Sequence, residues 1–265
     1  MRDESAAGLL AELHEKRGRW QLTPVVALLV LAGTISLWGG LSNTGQILIV
    51  TAGAIVVGAV RQVDQIRKST VVMYDLDTDG AQAFERLIDA VRGIGGGQRL
   101  WHVASHAAVI DRKYHAGAQE EIARTATSVG MGSAPFVKCN IDVPTVGVGK
   151  RTLWFFPDRL LVFDSGSVGA VAYANLTVAR QPIRFIEAQG VPGDSRVVGR
   201  TWRYVNKSGG PDRRFKDNRE LPICEYESLH LRSGNGLNEL FHSSKTGVGD
   251  GIALLLHDLS RGSHT

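Results

Sequence analysis

WQLTPVVALLVLAGTISLWGGLSNTGQILIVTAGAIVVGAV, residues 20–60, runs for 41 positions without one Asp, Glu, Lys or Arg. Two apolar stretches, Leu22–Trp38 and Gly45–Val60, are joined by the uncharged, glycine-bearing Gly39-Gly40-Leu41-Ser42-Asn43-Thr44. A helix crosses the hydrocarbon core of a bilayer with roughly 17–25 apolar residues. A single helix over the whole segment would be about twice too long. The spacing therefore predicts two spans in a tight transmembrane hairpin.

The charges around the hairpin orient it. Arg2, Lys16, Arg17 and Arg19 precede the first stretch, and Arg61, Arg67 and Lys68 follow the second. Lys and Arg beside a span are retained on the cytoplasmic side. The expectation is a membrane protein with both termini cytoplasmic and the lipid bilayer as its first partner. Trp20 and Trp38 bracket the first span, where indoles favour the two interfaces. Gly53, Ala54 and Gly58 form a small-residue stripe on the second, which lets two helices approach closely. A cleavable signal peptide competes poorly: the apolar segment starts too late, runs too long and is followed at once by another. A buried helical hairpin in a soluble protein is the remaining alternative.

The bulk properties exclude some partners. Of the 265 residues, 30 are basic and 26 acidic, and the net +4 falls wholly downstream of residue 60. A pI near 9.2 from so small an excess is not a basic arm, and no nucleic acid is expected. Cys139 and Cys224 read as buried free thiols, because a cytoplasmic location disfavours a disulfide. The organisation read from the chain is a cytoplasmic N-terminal segment (1–21), the hairpin (22–60), an α/β linker region (61–133) and a β-rich cytoplasmic domain (134–265).

In the N-terminal segment, Ser5–Lys16 carries Leu9, Leu10 and Leu13 on one side of a short helix that alone is marginal, and it reads as a frayed tail, with a place on the membrane surface as the alternative. Val71–Tyr74 reads as a strand. Asp79 caps a predicted helix from Ala81 to about Arg92, with Phe84, Leu87, Ile88 and Val91 on one face and a glycine-rich stop at 93–97. Arg99–Ile110 looks extended, and Asp111–Gly132 reads as a loop with one helical turn near Glu120–Arg124. Strands are predicted at Phe136–Val143, Thr152–Phe156, Leu160–Phe163, Val168–Tyr173, Thr177–Ile186, Val197–Val205, Cys224–Arg232 and Leu237–Ser243, several separated by short turns. A last helix, Asp250–Leu259, places Ile252, Leu255, Leu256 and Leu259 together. The fold class expected is α+β, with a small, partly open β-barrel closed by the C-terminal helix.

The run Thr152–Phe163 followed by Val168–Tyr173 resembles the early strands of bacterial pleckstrin-homology-like domains, and Glu225–Leu259 is similar to their closing hairpin and helix. The chain as a whole resembles an uncharacterised bacterial membrane-anchored family carrying a TrpArgTyrValAsnLys–GlyGlyProAspArgArgPhe element, here Trp202–Phe215. The first resemblance implies a pleckstrin-homology-like barrel; the second implies no particular activity. The roughly 40-residue insertion between Thr177 and Glu220 departs from a minimal barrel.

Among candidate sites, Asp75-Leu76-Asp77-Thr78-Asp79-Gly80 matches the first half of a calcium loop, but its twelfth position is Arg86 rather than Glu, so it reads as a strand end with a helix cap and no metal is expected. Gly147-Val148-Gly149-Lys150-Arg151-Thr152 fails as a phosphate loop, with Pro144 and Arg151 at the positions that need Gly and Ser or Thr. His102 and His106 make half a metal site, and with Asp111 they define the centre of an alternative, a membrane-tethered enzyme. No catalytic signature is complete, and no cofactor is expected.

Trp202–Pro222 is the best functional candidate. Arg203, Lys207, Arg213, Arg214, Lys216 and Arg219 stand among Trp202, Tyr204 and Phe215 around a Gly-Gly-Pro turn. Such cations bind phosphate or carboxylate. The competing reading is an internal salt-bridge cluster, since Asp212, Asp217 and Glu220 are near enough in sequence to neutralise half of them. The expected function is a binding or scaffold module that recognises a protein partner or an anionic lipid headgroup.

Overall fold

The computed structural model describes residues 7–18, 20–40, 42–104, 124–164 and 167–262. Helices and strands combine in an α+β chain with two apolar helices at its N-terminal end and a curled half-barrel of sheet. Two compact units emerge, each drawn from separate stretches: Ala7–Tyr74 with Ser133–Ile141, and Asp75–Gly132 with Asp142–Thr265.

The first unit contains α1 (Ala7–Gly18), α2 (Thr23–Leu37) with a 3-10 turn at Trp38–Gly40, α3 (Asn43–Lys68), and two short strands, β1 (Thr70–Val72) and β5 (Val137–Cys139). Helix α2 together with its 3-10 turn (Thr23–Gly40) and helix α3 are long and apolar enough to cross a membrane by length and composition. Their large side chains face outward: Leu28, Leu29 and Ile35, and Ile47, Leu48 and Ile55, are each 63–68% exposed. Pro24, in the first turn of α2, removes no hydrogen bond there, and Ser42 caps α3 by accepting from Gly45 N. The two helices meet at Gly53, where an added Cβ would lie 2.5 Å from Val30 Cγ1; at Gly58 nothing lies within 4 Å. Close approach in the small-residue stripe thus depends on Gly53.

The N-terminal segment is not a frayed tail over its described residues. Helix α1 packs against α3 and β1, buries Leu10 and Leu13, and sends Lys16 Nζ to the Ser69 carbonyl at 3.1 Å. Two leucines three positions apart find a tertiary partner, and that outweighs the weak intrinsic helicity of a short segment. Strand β5, expected within the β-rich domain, instead pairs in parallel with β1 in the register Thr70↔Val137. Phe136, with φ at +63°, turns the chain into it, and its carbonyl accepts from Thr70 N at 2.8 Å. Beyond the pair, the Asn140 amide exchanges two hydrogen bonds with the Tyr74 backbone, at 2.9 and 2.8 Å.

The second unit begins with α4 (Thr78–Ile94), which buries Phe84, Leu87, Ile88, Val91 and Ile94. Its cap is Asp77, not Asp79: Asp77 Oδ1 accepts from Gly80 N at 2.8 Å, while Asp79 lies inside the first turn and complements the helix dipole. One sheet contains β4 (Val129–Gly132), β6 (Val143–Val148), β7 (Arg151–Phe155), β8 (Arg159–Phe163) and β9 (Val168–Ala172), all antiparallel and in the order β4-β6-β7-β8-β9. The other contains β2 (Leu100–Val103), β3 (Arg124–Ala126), β10 (Leu176–Ile186), β11 (Arg196–Trp202), β12 (Glu220–Ser233) and β13 (Asn238–Ser243), ordered β10-β12-β13-β2-β3. The segment read as a linker therefore contributes a helix and three strands to the same unit as the β-rich region. The loop expected over Asp111–Gly132 is strand at 124–126 and 129–132, and the turn expected near Glu120 lies outside the described residues.

The 14-residue β12 organises its sheet. Strand β10 lines one side along its whole length, whereas β13 and β11 follow one another along the opposite side. The insertion therefore lengthens an existing sheet edge. Pro182 is tolerated because β10 has a free edge, where a missing N–H breaks no ladder bond. The closing helix α5 (Asp250–Gly262) packs on α4, β10 and the turn at Tyr173–Asn175, burying Ile252, Leu255 and Leu256. Its entry is held by Glu227, which accepts from Gly249 N at 3.1 Å. Tyr173, at the end of β9, donates to the Phe156 carbonyl at 2.6 Å and ties the β7–β8 turn into the core.

Candidate functional site

The basic segment leaves the sheet where β11 gives way to β12, at the pair Trp202↔Glu220. Its backbone is shaped by its own side chains. Asn206 Oδ1 accepts from the amides of Ser208 and Gly210 at 3.0 and 2.9 Å, Gly209 takes φ +85°, and Val205 bridges to Pro211. Asn218 closes the other end, accepting from Tyr204 N at 3.0 Å and donating to Tyr204 O at 2.7 Å. Tyr204 and Phe215 stack with centroids 4.0 Å apart and planes 16° from parallel.

Within this frame the six cations separate into two groups. Arg214 Nε reaches both oxygens of Asp212, at 3.0 and 3.1 Å, and its terminal nitrogen lies 2.6 Å from Oδ2. The side-chain hydrogen bond from Arg214, reinforced by its backbone N–H, holds the Asp212 carboxyl below the usual carboxylate range. Arg203 pairs with Asp217 at 2.8 Å, and Arg219 donates to the Ala188 carbonyl at 3.2 Å. Glu220 is taken by Arg200, at 3.0 Å. Lys207, Arg213 and Lys216 are exposed, and among the described residues no carboxylate forms an ion pair with them. Phe215, between Arg214 and Lys216, is 42% exposed.

Of the alternative enzyme centre, His106 and Asp111 lie outside the described residues. His102, on β2, contacts Glu239 on β13, with Nε2 and Oε2 2.8 Å apart, while Arg151 on β7 stands 2.7 Å from the second oxygen of Glu239. Glu239 is 1% exposed and His102 is buried, while Arg151 is part-exposed, so Glu239 forms a polar junction between the two sheets. Neither contact was legible, because Glu239 lies 137 positions from His102 and 88 from Arg151 in sequence.

A second cluster also carries no sequence signal. Arg124 on β3 lies between two rings, 4.5 Å from the centroid of Trp101 and 4.3 Å from that of Phe185, and Phe185 stacks on Tyr226 at 4.8 Å. This is a double cation–π contact across four strands. Burial pushes the Tyr226 hydroxyl up to about 12, partly offset by Arg99. Burial, aided by Arg124, pushes His242 down to about 4.

The calcium-like stretch has spent Asp77 on its helix cap, and the described residues contain no group of three or more His, Cys, Asp or Glu suited to a metal. The phosphate-loop-like stretch is the β6–β7 hairpin, pairing Val148 with Arg151 across Gly149 at φ +65°. No family model matches the chain, and comparison with curated proteins and with solved structures yields no match either.

Proposed function

We propose that this chain is a membrane-anchored binding module of the bacterial inner membrane, with both termini cytoplasmic, whose basic loop recognises an anionic protein partner or lipid headgroup. The observation that carries the reading is the division of the six cations. Arg203 and Arg214 pair with carboxylates of the loop itself and Arg219 donates to the Ala188 carbonyl, while Lys207, Arg213 and Lys216 are exposed and, among the described residues, form neither contact. Cations in that state keep their charge available to a partner, and a loop already shaped by its own hydrogen bonds has less to order on binding.

The anchor reading is supported by the outward apolar faces of α2 and α3, which are the reverse of a soluble core helix. A pleckstrin-homology-like identity is supported by the β6–β9 meander, the antiparallel set of β10, β12 and β13, and the helix that follows. Strand β11 and the basic loop are this chain's elaboration of that plan.

Two measurements test the proposal. Reporter fusions at residue 1 and after Thr265 are both expected to report cytoplasm; a periplasmic signal from either end removes the topology. A photo-crosslinking residue at position 213 of the full-length protein, in native membranes, is expected to capture a protein or a lipid. Absence of any adduct, with control positions on α3 labelling lipid, overturns the binding role.

A further inference from the structure

We propose that the loop 203–219 rests on the anionic surface of the bilayer, with Phe215 at the headgroup boundary and Lys207, Arg213 and Lys216 against lipid phosphates. This deepens the binding role above and rests on it. The chemistry separates a surface from a discrete ligand. A single small anion is held by donors that converge and are backed by buried polar groups. Here Lys207, Arg213 and Lys216, which pair with no carboxylate among the described residues, are all exposed, and the one nearly buried carboxylate in the loop, Asp212, is occupied by Arg214. Separate exposed charges suit a continuous negative surface, where each acts on its own lipid.

Phe215 points to the same partner. It is the exposed large apolar side chain of the loop, flanked by Arg213, Arg214 and Lys216. Stacking on Tyr204 fixes one face of its ring and leaves 42% of the residue open. An aromatic ring surrounded by long cationic side chains suits a headgroup layer, where the ring enters the apolar boundary and the cations reach phosphate. The Asn206 and Asn218 hydrogen bonds shape the loop beforehand, so contact requires little further ordering. If α2 and α3 are inserted, a leaflet lies permanently within tether range, and weak exposed contacts are multiplied by effective concentration.

The experiment uses the full-length protein in nanodiscs of phosphatidylcholine alone and of phosphatidylcholine with phosphatidylglycerol, read by amide hydrogen exchange over residues 203–219. Each cation near an anionic surface is worth roughly a fivefold change in affinity. Three together are expected to slow exchange at least about tenfold in the anionic discs. That protection disappears at high salt and in the Lys207→Ala/Arg213→Ala/Lys216→Ala variant, and Phe215→Ser weakens it. Equal exchange of the unmodified protein in the two lipids overturns the proposal without recourse to any variant. Equal exchange together with a protein adduct from position 213 overturns the lipid surface while leaving the binding role standing.

Discussion

Asp64, near the end of α3, caps the N-terminus of α2: its Oδ2 accepts from Thr23 N at 2.8 Å and from Thr23 Oγ1 at 2.7 Å. The residue at the N-cap position of α2 is Leu22, which supplies no side-chain acceptor. A carboxylate 41 positions downstream does the work of a local Ser or Asp, and it joins the open ends of the hairpin. Replacing Asp64 by Ala is expected to lower the thermal unfolding midpoint of the protein in detergent, whereas Asp64→Asn, which keeps an acceptor oxygen, retains most of it. Gln65→Ala, at an exposed neighbour, is the control; an equal loss there would refute the cross-helix cap.

The contact between Gly53 and Val30 gives a second test. A valine at position 53 would place a carbon where Val30 Cγ1 already stands, 2.5 Å from the ideal Cβ position. Overpacking of this kind costs about 1–3 kcal/mol. Gly58→Val, in open space on the same helix, is expected to stay within about 0.5 kcal/mol of the parent protein. Equal stabilities for the two variants, measured by unfolding from detergent micelles, would show that the helices do not cross at Gly53.

Neighbouring arginines 213 and 214 have opposite fates. Arg213→Ala removes an exposed charge with no carboxylate partner among the described residues, so stability is expected to change by less than about 0.5 kcal/mol while association falls. Arg214→Ala strips Asp212 of its paired guanidinium and leaves a nearly buried carboxylate short of donors, so the melting temperature falls. Thermal melts run beside binding to anionic vesicles separate the two, and a reversed pattern would exchange their roles.

His242 makes stability depend on acid. Its folded value is pushed down to about 4 from 6.5, first by burial and then by the Arg124 charge. Between those values the unfolded chain binds more protons, so this residue's contribution erodes as pH falls from about 6.5 to 4 and is constant above. The loss across that window is of order 3 kcal/mol. Denaturant midpoints measured at pH 7 and pH 4.5 should converge in a His242→Gln variant; an unchanged gap would place the acid sensitivity elsewhere.

What was legible in the residues was local. Uncharged apolar length marks α2 and α3, and a 3.6 period marks the buried faces of α4 and α5. Turn-bounded apolar runs mark β7 to β9 within a residue or so of where they stand. Asp212 and Asp217 were legible as salt-bridge partners of the basic loop because they lie within it. Where local signals overlap they do not decide between neighbours: Asp77 and Asp79 both suit a cap, and the glycines at 147 and 149 weaken the strand signal of Val143–Val148.

Periodicity, turn chemistry and charge near an apolar run are properties of neighbouring residues, so the sequence by itself determined the apolar hairpin, the amphipathic helices and the β-meander. Register between distant strands and helices is set by burial of all of them together, and no short window contains it. Tertiary structure alone therefore decided that 137–139 pairs with 70–72, that Asp64 caps α2, and that Glu239 meets both His102 and Arg151. It also placed Arg124 between Trp101 and Phe185, and left Lys207, Arg213 and Lys216 without a carboxylate partner among the described residues.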